Sequence, residues 1–141
     1  MSIFDKTKQQ VRTLTMLIAI TGSNVATTAH ASDQPSPEEM ASEIVEFANT
    51  QDVPNYGPGT EVRLYADGAA VVREIRLTDP ELEQFAKTNS TEMLALFAPD
   101  YQKEVCSSWI GAAFVRRGVV YRTVVTDTDR TETARFEVDQ C

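Results

Sequence analysis

Histidine is nearly absent from this chain: of its 141 residues only His30 is one, and it stands close to the N-terminus. Everything after it lacks the usual neutral-pH proton shuttle, a histidine-dependent triad and any His/Cys zinc site. Cysteine is scarce as well, limited to Cys106 and Cys141. Basic residues are in the minority, with 13 Lys+Arg against 21 Asp+Glu and a net charge of −8. Phosphate-rich partners need a strong basic field, so nucleic acid and anionic lipid are disfavoured. Long apolar runs are missing too. The stretch at residues 14–20 (LTMLIAI) is far shorter than the roughly 20 residues that span a bilayer. No cofactor or metal site is expected.

What is present at the N-terminus is the pattern of a secretory signal. Lys6, Lys8 and Arg12 make a basic stretch, residues 14–20 an apolar one, and Ala29-His30-Ala31 offers small residues for cleavage. A cut before Ser32 is expected, giving a signal at 1–31, a flexible leader at 32–37 (SDQPSP) and one globular domain at 38–141. Lys6, Lys8, Arg12 and Asp5 leave with the signal, so the remaining 110 residues carry 10 basic and 20 acidic groups, a net charge of −10. That length suffices for one core and not for two. With no cysteine beside the cut, a lipid anchor is disfavoured. A soluble periplasmic or secreted product, without stable membrane insertion, is expected.

An oxidising compartment favours pairing of an even number of cysteines. Within one chain only Cys106–Cys141 is possible, closing a loop of about 36 residues worth roughly 3–4 kcal/mol by chain entropy. An intermolecular bond and a reactive thiol are the alternatives.

Local signals set out the elements. Ser36-Pro37-Glu38-Glu39 is a helix start, and Met40, Ile44, Phe47 and Ala48 then recur at helical spacing, which predicts a helix over 37–50. Gly57-Pro58-Gly59 lies in a turn-rich connection and lacks the Lys-Ser/Thr of a phosphate loop. Strands at 61–67 and 69–77 meet at Asp67-Gly68, a dipeptide suited to a tight turn. That turn would set Leu64 opposite Val71 and give a core face of Val62, Leu64, Val71, Ile75 and Leu77, with Arg73 intruding. Asp79-Pro80 starts a second helical region with Leu82, Phe85 and Ala86 as its buried side. Asn89-Ser90-Thr91 fits a glycosylation sequon but is better read as a helix interruption, and Met93, Leu94, Leu96 and Phe97 resume an apolar pattern beyond it. Tyr101, Val105 and Trp109 follow at spacings of four, one stripe that favours a core position for Trp109 over the alternative of an exposed interface anchor. Gly118 suits the left-handed position after a helix at 109–117. Strands at 119–126 and 131–138 complete the order, with Tyr121, Thr123, Val125, Ala134, Phe136 and Val138 assigned to the core. The expected fold class is α+β: a single domain with about four antiparallel strands in two hairpins, helices packed on one face, in the order α-β-β-α-α-β-β.

The C-terminal stretch supports a comparison. Val105-Cys106, eleven residues, Gly118-Val119, Tyr121, an Asp/Thr turn, Phe136-Glu137-Val138 and Cys141 together resemble a pattern of small uncharacterised exported bacterial proteins and lipoproteins, over residues 99–141. The resemblance implies a bacterial periplasmic domain with a Cys106–Cys141 bond and brings no activity with it. The chain departs from the lipoprotein members in lacking their lipid-accepting cysteine.

Two functional classes remain. The sheet face turned away from the helices would carry Arg63, Tyr65, Val72, Arg76, Val120, Arg122, Val124 and Arg135, a mixed basic and apolar surface on an acidic chain. Of these, Arg63, Tyr65, Arg76, Arg122, Val124 and Arg135 are the candidate contacts to another envelope or secreted protein. The bland counterpart is a solvated face whose arginines pair across strands with Glu61, Glu74 and Glu137. An inhibitor or immunity protein would be a special case of binding. The other class is a carboxylate-based hydrolase of envelope polymer, which needs one carboxyl with a strongly raised pKa. Asp127-Thr128-Asp129 lacks the glycine and glutamate of a calcium loop and reads as a polar turn.

Overall fold

In a computed structural model of the chain, residues 34–52 and 56–141 are described. The expected signal lies outside them. The first helix, α1 (Pro37–Asn49), opens with the anticipated chemistry: the Glu39 amide donates to Ser36 Oγ at 3.2 Å, while the Ser36 amide donates to Glu39 Oε2 at 2.7 Å. This reciprocal cap satisfies two amides that the helix leaves open. Strands β1 (Thr60–Asp67) and β2 (Ala70–Leu77) form the first hairpin. Its two-residue turn is Gly68-Ala69 rather than Asp67-Gly68, with Gly68 at φ +56°. The register is Leu64 opposite Arg73 and Val62 opposite Ile75, displaced by two residues from the expected one. A slip of two preserves the side-chain parity of a strand, so the anticipated core face survives.

Three helices, not two, follow. Asp79 caps α2 (Pro80–Thr88) through the amides of Glu81 and Leu82, at 2.8 and 3.1 Å. Asn89 ends it, and α3 (Ser90–Ser107) runs through Pro99 without a break. Ser108, extended at φ −78° and ψ 120°, then caps α4 (Trp109–Arg116), donating its position to a new helix and accepting from the Gly111 amide. This corner corrects the stripe drawn through Tyr101, Val105 and Trp109. Tyr101 and Val105 are buried on α3, but Trp109 opens a differently directed helix and is 60% exposed. Leu82 and Phe85, expected inside, are exposed as well, and of that trio only Ala86 is buried. Gly118 sits at φ +93°, its amide bonded to the Val115 carbonyl and that of Val119 to Phe114, both at 3.0 Å. Those two bonds are the expected left-handed helix end.

Strands β3 (Val120–Thr126) and β4 (Glu132–Val138) make the second hairpin, and the sheet order is β1-β2-β3-β4. The sheet is mixed, not antiparallel throughout: β2 and β3 pair in parallel, with Val72 opposite Arg122 and Glu74 opposite Val124. Parallel neighbours need a long crossover to return the chain to its starting end, and the three helices supply it. The observed order is α-β-β-α-α-α-β-β.

The helices share one face of the sheet. Met40, Ala41 and Val45 of α1 pack on Val71 and Val119, and Ala86 with Met93 and Leu94 pack on Leu77, Val125 and Ala134. Tyr101, Val105 and Val115 close over Val138, with Tyr101 edge-on to the Phe136 ring at 5.3 Å. Cys106 and Cys141 are bonded, tying the last turn of α3 to the residues after β4. The opposite face of the sheet carries no helix among the described residues.

Candidate functional site on the outer face of the sheet

Strand pairing arranges the outer face as a grid. Glu61, Arg76 and Thr126 form one row, Arg63, Glu74, Val124 and Arg135 the next, and Tyr65, Val72, Arg122 and Glu137 a third. The six residues singled out from the sequence, Arg63, Tyr65, Arg76, Arg122, Val124 and Arg135, therefore share this face. The arginines pair across strands with Glu61, Glu74 and Glu137, as the bland reading expected, whereas the valines are not exposed. Val124 is buried, and Val72 has no exposure at all. Both lie on central strands, where Ala70, Tyr65 and Val120 pack with them. Val124 is thus a floor residue and not a contact.

The arginines are held by carboxylates. Arg76 meets Glu61 at 3.1 Å, Arg122 meets Asp67 at 2.8 Å and Glu137 at 2.5 Å, and Arg135 meets Glu132 at 2.7 Å. Arg63 pairs with Glu74 and its guanidinium also lies 4.6 Å over the Tyr65 ring. Arg130, which sequence reasoning did not place here, reaches Glu74 at 3.0 Å from the β3–β4 turn, where its φ is +62°. Five arginines and five carboxylates enter these pairs, so the face is neutral on an acidic chain.

Glu74 is the centre of this lattice. Its side chain is 4% exposed, and it accepts from Arg63, Arg130 and, at 3.2 Å, the Thr126 hydroxyl. Burial pushes its pKa up, but the hydrogen bonds and charges of Arg63, Thr126 and Arg130 outweigh that and hold it below the ordinary value. Above it lies a depression of about 220 Å³ walled by Arg63, Arg130 and Arg135. Only a local turn signal at residues 127–131 could have hinted at Arg130; the burial of Glu74 has no local signal.

The rim next to this face is pinned by a second cluster. Asp127 accepts from the amides of Thr131 and Asp129, at 2.8 and 3.0 Å, and from Lys87 at 3.2 Å. The Thr131 amide leads in lowering its pKa. Glu83 is held down to about 2, chiefly by Lys87 and then by Thr128. Asp127-Thr128-Asp129 is therefore a closed polar turn in which both Asp127 carboxylate oxygens are already occupied. The perturbed carboxyls Glu74, Glu83 and Asp127 are all shifted downward, the opposite of what a carboxylic general acid requires.

No family model matches this chain, and no curated protein matches it. Among solved structures it is similar to a protein of Pseudomonas aeruginosa provisionally described as secreted, with a TM-score of 0.58 at 11% identity, covering 73% of this chain and 88% of that one. It is also similar to the type II secretion system pilotin of Vibrio cholerae, with a TM-score of 0.43 at 16% identity over 72% of this chain and 87% of that one. The type 2 secretion system pilotin of Vibrio vulnificus gives 0.44 at 15% identity, over 72% and 86%. At 11% identity the first likeness establishes a shared fold.

Proposed function

We propose that this chain is a non-catalytic binding protein of the bacterial cell envelope, and that the outer face of its sheet is offered to another protein. The observation that carries this reading is the outer face itself, which no helix covers among the described residues. It brings five arginines and Tyr65 together over a valine floor, and it is neutral where the chain as a whole is strongly acidic. Arginine and tyrosine are the side chains enriched at interfaces. Arg63, Arg130 and Arg135 stay about half exposed, so guanidinium donors remain for a partner. The alternation of charge gives a template for register and selectivity, with modest affinity per pair. Export accords with the N-terminal pattern and with a disulfide that requires an oxidising compartment.

Affinity capture from envelope extract tests the reading. The wild-type chain should retain a specific protein that the double variant Arg63→Glu/Arg135→Glu loses while remaining folded at the assay temperature, its melting temperature lowered because Arg63→Glu sets a second carboxylate against the buried Glu74. Equal recovery by the folded variant would remove the outer face from the account.

A further inference from the structure

The helix side of the sheet holds a second surface. On β1 and β2 this side presents Val62, Leu64, Arg73 and Ile75, and none of the four is fully buried. The Arg73 guanidinium lies 4.8 Å over the Tyr101 ring and 5.9 Å over that of Tyr56, and its Nε donates to Thr123 Oγ1 at 3.3 Å. Every arginine of the outer lattice has a carboxylate. Arg73, half-buried among rings, has none among the described residues. Large apolar groups stand open around it: Tyr56 is 49% exposed, Leu82 39% and Phe97 53%. Phe97 is one helical turn before Tyr101 on α3, on the stripe that Arg73 touches. Leu82 Cδ1 comes within 3.2 Å of where a Cβ would sit on Gly59, the residue before β1. Tyr56 thus stands beside Arg73, Leu82 beside the start of β1, and Phe97 one turn from the Tyr101 ring that Arg73 touches.

A guanidinium partly removed from water gains most from a carboxylate that can accept two of its donors. Aromatic and aliphatic walls fill with apolar side chains. The strand beside them, β1, is at the edge of the sheet; its Leu64 carbonyl accepts from Asn49 Nδ2 of α1 at 3.4 Å, and an edge offers further main-chain hydrogen bonds that only another polypeptide can use fully. From these together we infer that the surface beside β1 and Arg73 binds an apolar peptide segment of another protein, anchored by a carboxylate of that segment on Arg73. The site is on the other side of the sheet from the arginine lattice and stands independently of it.

Selection of a random dodecapeptide display library on the immobilised chain, followed by fluorescence anisotropy with the selected peptide, tests this. Selected peptides should combine large apolar residues with a side-chain or terminal carboxylate. Converting that carboxylate to the amide should weaken binding at least tenfold, and Arg73→Gln should cause the same loss. Phe97→Ala changes an exposed side chain and provides the same readout should Arg73→Gln not fold. Arg63→Glu/Arg135→Glu should leave peptide binding unchanged, which separates this site from the outer face. The inference is overturned if acid and amide bind equally or if both Arg73→Gln and Phe97→Ala bind normally. It is equally overturned if dodecanoate binds where no peptide is selected, or if this surface instead mediates self-association that Phe97→Ala abolishes.

Discussion

Replacing Glu74 with glutamine keeps the shape of the side chain and removes its charge from beneath Arg63 and Arg130. Those arginines are 57% and 48% exposed, so they return to water when the carboxylate is lost. The cost therefore falls short of the roughly 3–5 kcal/mol of stranding a buried ion and lies near the 2 kcal/mol or so of a charge-assisted hydrogen-bond set. In a domain of this size that corresponds to a fall of roughly 10 °C in Tm. The pH dependence gives the sharper signature. Burial raises the Glu74 pKa, but Arg63, Thr126 and Arg130 together bring the folded value below the ordinary 4.5. The unfolded chain then takes up the proton more readily than the folded one. The stabilisation is complete above the ordinary carboxylate range and is lost as pH falls through it toward the folded value. Urea denaturation followed by circular dichroism at pH 7 and pH 3 should show wild type ahead of Glu74→Gln at neutral pH and the gap narrowing in acid. A gap that persists undiminished or widens at pH 3 would refute the reasoning.

The Cys106–Cys141 bond closes 35 residues of chain, so Cys141→Ser should lose about 3–4 kcal/mol while partner binding at low temperature stays intact; an unchanged Tm would contradict it. Gly111 lies where an added Cβ would stand 2.5 Å from the Val105 carbonyl oxygen. Gly111→Ala should therefore cost about 1–3 kcal/mol by forcing apart the α3–α4 corner, readable in the same denaturation series. Trp109→Ala should change stability by less than about 0.5 kcal/mol, as for surface side chains, whereas Tyr101→Ala should cost about 3 kcal/mol or more; comparable losses would mean that Trp109 is part of the core.

The parts of this fold that could be read from the sequence are those decided by neighbours along the chain. Ser36, Asp79 and Gly118 act through hydrogen bonds within a few residues, and each sits at the helix end where its chemistry placed it. Strand parity was legible for the same reason, and it tolerated a turn misplaced by one residue, which shifts the register by two. What depended on distant contacts was not legible. The direction of β3 against β2 is fixed by the whole crossover of three helices and by no local pattern. Ser108 could have been noticed as a cap that breaks the Trp109 stripe, because a serine ahead of a helical run is a known start. The outer face was placed correctly as a set of residues but not as an environment. Val72, Glu74 and Val124 are covered by side chains arriving from other strands and from the Arg130 turn.

The most direct test of the binding account is site-specific photo-crosslinking in producing cells. A benzoylphenylalanine at Arg135, on the outer face, should yield a discrete adduct with one envelope protein, and the same group at Glu43, exposed on α1, should not. No adduct from position 135, or the same adduct from both positions, would contradict the proposal that the outer face of the sheet is where this protein meets its partner.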